Sequence, residues 1–320
     1  MIREPRWTSV LALSALLLSA GALVARADEP FLIERDTVDI DPSHGIALSK
    51  LIVDNKLGDV AVVGRDAPGV TLTVVKRAPD GATLERLKVN LVPDPAGLLV
   101  VSTAVLFGTD ARPVPAGTIR IDLTLAVPRH VHADVRAWNG RLSVTGLRGG
   151  ARLSAHEGDL AVDDLTGNVE TTSARGHQRL AAIDGDLRAS LVRGDVQLDR
   201  ITGDQLIASV HEGSVVARRI HSRRVQLRTT FGKIDFEGEL LAGGKADLRT
   251  YRGDCRVRLG GQVVTLIDAT APRVESRVAL ADEIRAAGRL QGRLGSGSSQ
   301  PAGLSVSSSA GLVSLGLIND

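Results

Sequence analysis

Acidic side chains recur directly after glycine at Asp59, Asp159, Asp195 and Asp254, the pattern from which a repeated cation site could be built. Calcium-binding β-rolls need two Gly-Gly-x-Gly-x-Asp stretches per turn. Here each Gly-Asp stands alone, without the preceding glycines. An Asp in a turn more simply accepts hydrogen bonds from nearby backbone N–H groups, and that is the reading adopted. Two imidazole pairs could begin a metal site. His130 and His132 lie two residues apart, with no third ligand in their pattern. His156-Glu157-Gly158 and His211-Glu212-Gly213 are 55 residues apart, too far along a stack of about 4.8 Å steps to share one ion. Arg193-Gly194-Asp195 and Arg252-Gly253-Asp254 spell a cell-attachment tripeptide, but a repeat whose turn is Gly-Asp generates it unaided. A charged series at Asp199, Arg218, Glu237 and Arg258 could be taken for a sugar-cleaving site, yet its alternating signs fit ion pairing between neighbours. Cys255 falls in an apolar series, which makes it a buried inert thiol rather than a nucleophile. The sequence holds no Gly-x-Ser-x-Gly elbow, His-Glu-x-x-His or phosphate-binding loop. No residue is assigned as catalytic, cofactor-binding or metal-ligating, and no cofactor is expected.

These residues hang on a turn that returns at Gly140, Gly158, Gly176, Gly194, Gly213, Gly232 and Gly253, with gaps of 18, 18, 18, 19, 19 and 21 residues. A constant period near 20 is the mark of a repeat architecture. Two residues after each glycine stand Leu142, Leu160, Gln178, Val196, Val215, Ile234 and Cys255; four after stand Val144, Val162, Leu180, Leu198, Ala217, Phe236 and Val257. Seven after, the first five repeats carry Leu147, Leu165, Ile183, Ile201 and Ile220. Alternation gives a strand with one buried face, and recurrence at a fixed offset stacks that face from repeat to repeat. Gln178 breaks the apolar series, and Glu239 occupies the third position of the sixth repeat. A second strand per repeat is seen in 187–191 and 225–229. The glycines, offsets and charge alternation predict an all-β chain, a right-handed parallel β-helix (β-solenoid) with about 18–21 residues per turn and N-terminal strands acting as cap or first rungs.

Residues 1–27 read as a signal peptide: Arg3 and Arg6, an apolar stretch from Val10 to Val24, and the small-x-small pattern Ala25-Arg26-Ala27. No Cys follows the apolar stretch for lipid attachment. Removing the leader takes away three Arg and one Glu, leaving 36 basic and 36 acidic residues of the 39 and 37 in the whole chain. A near-neutral mature chain does not point to nucleic acid. One cysteine means no intramolecular disulfide, so packing must hold the exported fold together. Aromatics at 2% and 34 Gly in 320 residues suit many thin layers and disfavour a membrane barrel with aromatic girdles. Domain boundaries are expected at 28–135 for an N-terminal β region, 136–273 for the repeats and 274–320 for irregular C-terminal rungs and cap. Ser309–Leu315 resembles a last rung or cap, Phe107–Gly117 an exposed loop, and 83–88 a helical turn or two.

With Leu57-Gly58-Asp59-Val60-Ala61-Val62, the strand ending at Val127-Pro128, and turns such as Glu157-Gly158-Asp159-Leu160-Ala161-Val162 in view, residues 51–318 resemble the bacterial adhesin-domain proteins, also called auto-transporter adhesins. The resemblance implies an exported Gly-Asp-rich β-helix with a binding or envelope-structural role, and supplies no catalytic residues. It implies a location in the periplasm or at the cell surface, with envelope proteins or surface glycans as partners and no transmembrane segment once the leader is cleaved. Two alternatives stay open: a carbohydrate-active β-helix, with a cleft of convergent charges, and a periplasmic sensory or scaffold protein.

Overall fold

The structure is a computed structural model and describes residues 31–40, 48–94, 96–106, 117–260, 263–297 and 300–318. The expected signal peptide at 1–27, the predicted mature start Asp28 and most of the expected Phe107–Gly117 loop lie outside the described residues. What is described is nearly all strand, with one short helix. The all-β expectation is therefore met.

The repeats build layers of two strands each. One strand runs into the turn glycine and the other leaves it. The described layers are β8 (His132–Asn139) with β9 (Leu142–Thr145), β10 (Ala151–Glu157) with β11 (Leu160–Thr166), and β12 (Val169–Arg175) with β13 (Gln178–Asp184). Next comes β14 (Leu187–Arg193) followed by three long bent strands, β15 (Val196–Glu212), β16 (Val215–Phe231) and β17 (Ile234–Arg252), then β18 (Cys255–Leu259). Every described ladder from Leu142 to Leu259 that joins these elements is parallel, each strand pairing with its counterpart one repeat on. Strands that approach the glycine therefore form one sheet, and strands that leave it form a second.

Between the sheets lies the core. All the apolar residues predicted at offsets of two, four and seven are buried, as is Cys255. Two irregular positions resolve differently from expectation. Gln178 does not break the buried column but is fully buried within it, accepting from the Thr171 hydroxyl at 2.8 Å and donating to Ser173 Oγ at 3.0 Å and the Ser190 carbonyl at 2.9 Å. A buried amide is tolerated because its hydrogen-bonding groups find partners. Glu239 is exposed, and Gly238 takes the inward place opposite Ile220. The Ile220 backbone accounts for the glycine, since a Cβ on Gly238 would meet the Ile220 carbonyl oxygen at 2.8 Å, with the Phe236 ring edge close behind at 3.1 Å.

Both ends of the parallel stack are interleaved. β2 (Lys50–Asn55) pairs in parallel with β8 on one side and with β6 (Leu98–Val105) on the other. β3 (Val60–Arg65) sits likewise between β9 and β7 (Arg120–Pro128). The first layer in the sequence is thus second in space. The C-terminal end repeats the device. β23 (Ala302–Ala310) and β24 (Leu312–Leu317) lie between β17–β18 and the pair β19 (Thr265–Thr270) and β20 (Arg273–Ser276). Ser309–Leu315 is therefore not the last layer or a cap, because β19 and β20 close over it. Asn55 pins the N-terminal insertion: its buried amide donates to the Gly58 and Ile121 carbonyls and accepts from Thr103, so it ties β2 to β6 and β7.

Antiparallel strands complete each end. β5 (Leu87–Asp94) pairs with β6, β4 (Val70–Ala78) with β7, and β1 (Leu32–Ile40) with β4. β22 (Arg289–Leu294) pairs with β19, and β21 (Ala281–Ala286) with β22. The helix α1 (Gly81–Arg86) packs beside β4, its Asp80 cap accepting from the Thr83 N–H at 2.7 Å. No helix among the described residues is long and apolar enough to cross a membrane.

Candidate binding face

The residues singled out for chemistry are placed by the stack as structural parts. At the glycine corner, Asp59 Oδ1 accepts the N–H of Arg141 at 2.6 Å, Asp159 that of His177 at 3.0 Å, Asp195 that of Ser214 at 2.8 Å and Asp254 that of Leu312 at 3.1 Å. Each carboxylate thus caps the next layer's turn rather than its own. The Arg-Gly-Asp tripeptides dissolve into the same scheme. Arg193 pairs with Glu212 at 2.7 Å, and Arg252 lies over the rings of Phe231 and Tyr251. His130 Nε2 and His132 Nδ1 each lie 2.9 Å from a backbone carbonyl, those of Leu48 and Gly149. His156 packs at a tilt against Trp138 and His211 meets Phe231 edge to face, so each imidazole is engaged with a ring of its own corner. Among the described residues no three metal-ligating side chains cluster. The Cys255 thiol is buried, and burial, with the nearby Asp235 charge, pushes its pKa up to about 12.

The outer surface of the departing sheet is electrically balanced. Asp199 stands opposite Arg218, Arg218 opposite Glu237, Glu237 opposite Arg258, and Asp235 opposite Arg256. The register matches the alternation read from the sequence, and the bonds run both straight across and diagonally. Arg219 rather than Arg218 forms the hydrogen-bonded pair with Asp199, and Arg258 reaches Glu237 at 3.0 Å and Asp235 at 3.4 Å.

The approaching sheet is built on a different plan. Its outward positions carry short hydroxyl side chains, Thr172, Ser190, Ser209, Thr230, Ser307 and Ser309, along an open trough of about 590 Å³. A second hollow of about 540 Å³ lies beside it, and Arg249 lines both. Along their linings like charges stand directly opposite in the parallel ladder: Arg224 against Lys245 in the second hollow, and Arg228 against Arg249 in the trough. Cross-strand pairing disfavours that arrangement, so its presence twice on one pair of strands calls for a compensating partner. Asp247 supplies part of it, accepting from Arg249 Nε at 2.7 Å and lying 3.7 Å from Arg228. The carboxylates lining the two hollows are Asp247 and Asp268, and Asp268 is held by Arg289 at 2.7 Å. That bidentate contact holds the Asp268 carboxyl below its ordinary value, the Arg289 hydrogen bond outweighing burial. Sequence reading passed over this face because it follows the offsets after each glycine. Counting four and eight residues back from Gly232 and Gly253 would have aligned Arg228 with Arg249 and Arg224 with Lys245.

No family model and no curated protein matches the sequence. Solved structures give weak likenesses that run over most of the chain. A provisionally named adhesin from Bacteroides fragilis NCTC 9343 is 14% identical over 88% of this chain and 97% of its own, with a TM-score of 0.34. A provisionally named lipid binding protein from Parabacteroides distasonis ATCC 8503 is 10% identical over 88% and 96%, with a TM-score of 0.40. A provisionally named cell adhesion protein from Clostridium sporogenes ATCC 15579 is 10% identical over 89% and 99%, with a TM-score of 0.27.

Proposed function

We propose that the chain is a right-handed parallel β-helix, exported to the periplasm or cell surface, that acts without catalysis as an adhesive, binding or envelope-structural protein. The observation that carries this reading is the difference between the two outer faces. One pairs its charges off layer by layer. The other pairs Arg152 with Glu170, Arg175 with Glu157 and Arg193 with Glu212 in its earlier layers, but keeps stacked cations at β16 and β17 beside a hydroxyl-lined trough. A merely structural surface gains nothing from the second arrangement, while a surface that meets a partner does. The non-enzymatic reading draws support from the carboxylates over the hollows, both engaged by arginine and so poorly placed to act as a free acid–base pair.

Fractionation of the native cell combined with protease treatment of intact cells tests the location. Digestion of the chain on intact cells supports surface display. Protection behind an intact outer membrane would overturn the adhesive role and leave the envelope-structural one. Release of oligosaccharide from any glycan incubated with the purified chain would overturn the non-enzymatic reading.

A further inference from the structure

We infer that the face of the approaching sheet around Arg224, Arg228, Lys245 and Arg249 binds a linear acidic polysaccharide, an inference that rests on the binding role proposed above. Three independent features converge on this chemistry. The first is charge. From β14 to β17 the outward positions of this sheet hold Arg188, Arg224, Arg228, Lys245 and Arg249 against Asp247, in a mature chain expected to be near neutral overall. At the glycine corner Arg193 is paired with Glu212, and Arg252 adds a further cation. Arg228 and Arg249 have side chains about half exposed, at 50% and 57%, so their guanidinium groups are open to a ligand. A guanidinium offers a planar fork of donors that fits a carboxylate.

The second feature is extent. The basic square spans two layers, while the hydroxyl row runs on either side of it from Thr172 to Ser309. Layers repeat about every 4.8 Å, so donors and acceptors recur along the stack at a step close to that of one sugar unit in an extended glycan. A compact anion would use only the square, whereas a polymer uses the whole row. The third feature is what the face does not offer. Tyr251 and His211 are the rings lining the trough, too few for the successive aromatic platforms that hold single-stranded bases. The exposed large apolar side chains lining the two hollows, Val192, Tyr251 and Leu266, stand among hydroxyls and charges rather than in a continuous patch that would enter a membrane.

Affinity electrophoresis of the full-length chain in gels containing polygalacturonate tests the inference, with fully methyl-esterified polygalacturonate as the uncharged counterpart. Retardation by the acid and not by the ester is expected. The double substitution Arg228→Ala with Arg249→Ala should weaken the retardation at least about tenfold. The control Arg218→Ala with Arg256→Ala on the departing sheet should leave it unchanged. Circular dichroism of each variant separates lost binding from lost fold, and Arg224→Ala with Lys245→Ala provides a second pair on the same face. Equal retardation by acid and ester, or equal loss from both faces, would overturn the assignment. So would tighter binding to phosphatidylglycerol vesicles or to an oligothymidine than to the acidic glycan. If the ester binds and the Arg228 and Arg249 substitutions abolish it, the acidic ligand is wrong but the binding face stands. If no probe binds and the chain is also protected in intact cells, the adhesive function falls with it.

Discussion

Each layer turns at a glycine column, bends again at a bulge in the departing strand, and turns a third time near Gly167, Gly185 and Gly203; the first two corners obey different rules. At the first corner stands the column Gly140, Gly158, Gly176, Gly194, Gly213, Gly232 and Gly253, all with φ between 123° and 159°. A Cβ on any of them would collide with the carbonyl oxygen of the column's preceding glycine. Gly58 begins this column and Gly311 ends it, each in contact with the next layer's glycine although 82 and 58 residues separate them in sequence from Gly140 and Gly253. At the second corner Gly146, Asp164, Ala182, Arg200 and Arg219 bulge out of the ladder with φ between 50° and 73°. Left-handed backbone is just as necessary there, yet the residue type wanders. What compels glycine is a fixed oxygen in the way, whereas unfavourable φ alone is a tolerable cost of about 1–2 kcal/mol.

Substitutions can break or sharpen that contrast, and denaturant unfolding reads each of them. Gly176→Ala should lower stability most, by about 3–5 kcal/mol, because strain in φ adds to a clash with a backbone that has no room to yield. A loss below about 1 kcal/mol would remove the distinction between the corners. Just beyond the glycine, Gln178→Ala should cost about 2–3 kcal/mol by leaving the buried Thr171 and Ser173 hydroxyls without their amide partner. Asp195→Ala, which removes the cap on the Ser214 N–H, should cost about 1 kcal/mol. At the second corner Ala182→Gly should change stability by no more than about 0.5 kcal/mol, since relief of φ strain is offset by the freer unfolded chain.

Much of the layer was legible because one offset from the turn glycine fixes one environment. Val144, Val162, Leu180 and Leu198 declare a buried column by type alone, and Glu157 with Arg175 declares a neighbouring pair, found at 2.6 Å. The second corner was not legible, since Asp164, Ala182, Arg200 and Arg219 share a conformation but no chemistry. The gap of 21 residues between Gly232 and Gly253 also hides two events. The bulge is lost at Gly238, and extra residues enter between Leu240 and Lys245. The interleaved ends were out of reach for a different reason. Nothing in the composition of β23 and β24 says that β19 and β20, earlier in the chain, will lie outside them. The basic face was readable in principle, but only by comparing residues before the glycine, where Arg228 and Arg249 align.

Interleaving changes how the molecule can come apart. A linear array of repeats ordinarily peels from its termini, each end unit having a single neighbour. Here β2–β3 and β23–β24, the strands nearest the two chain ends in the parallel stack, are clasped on both sides. A force applied along the chain from either terminus would have to shear two ladders at once before a single layer could be drawn out. The same clasp sets a schedule for assembly, because the C-terminal gap closes only after the last strand has emerged to fill it.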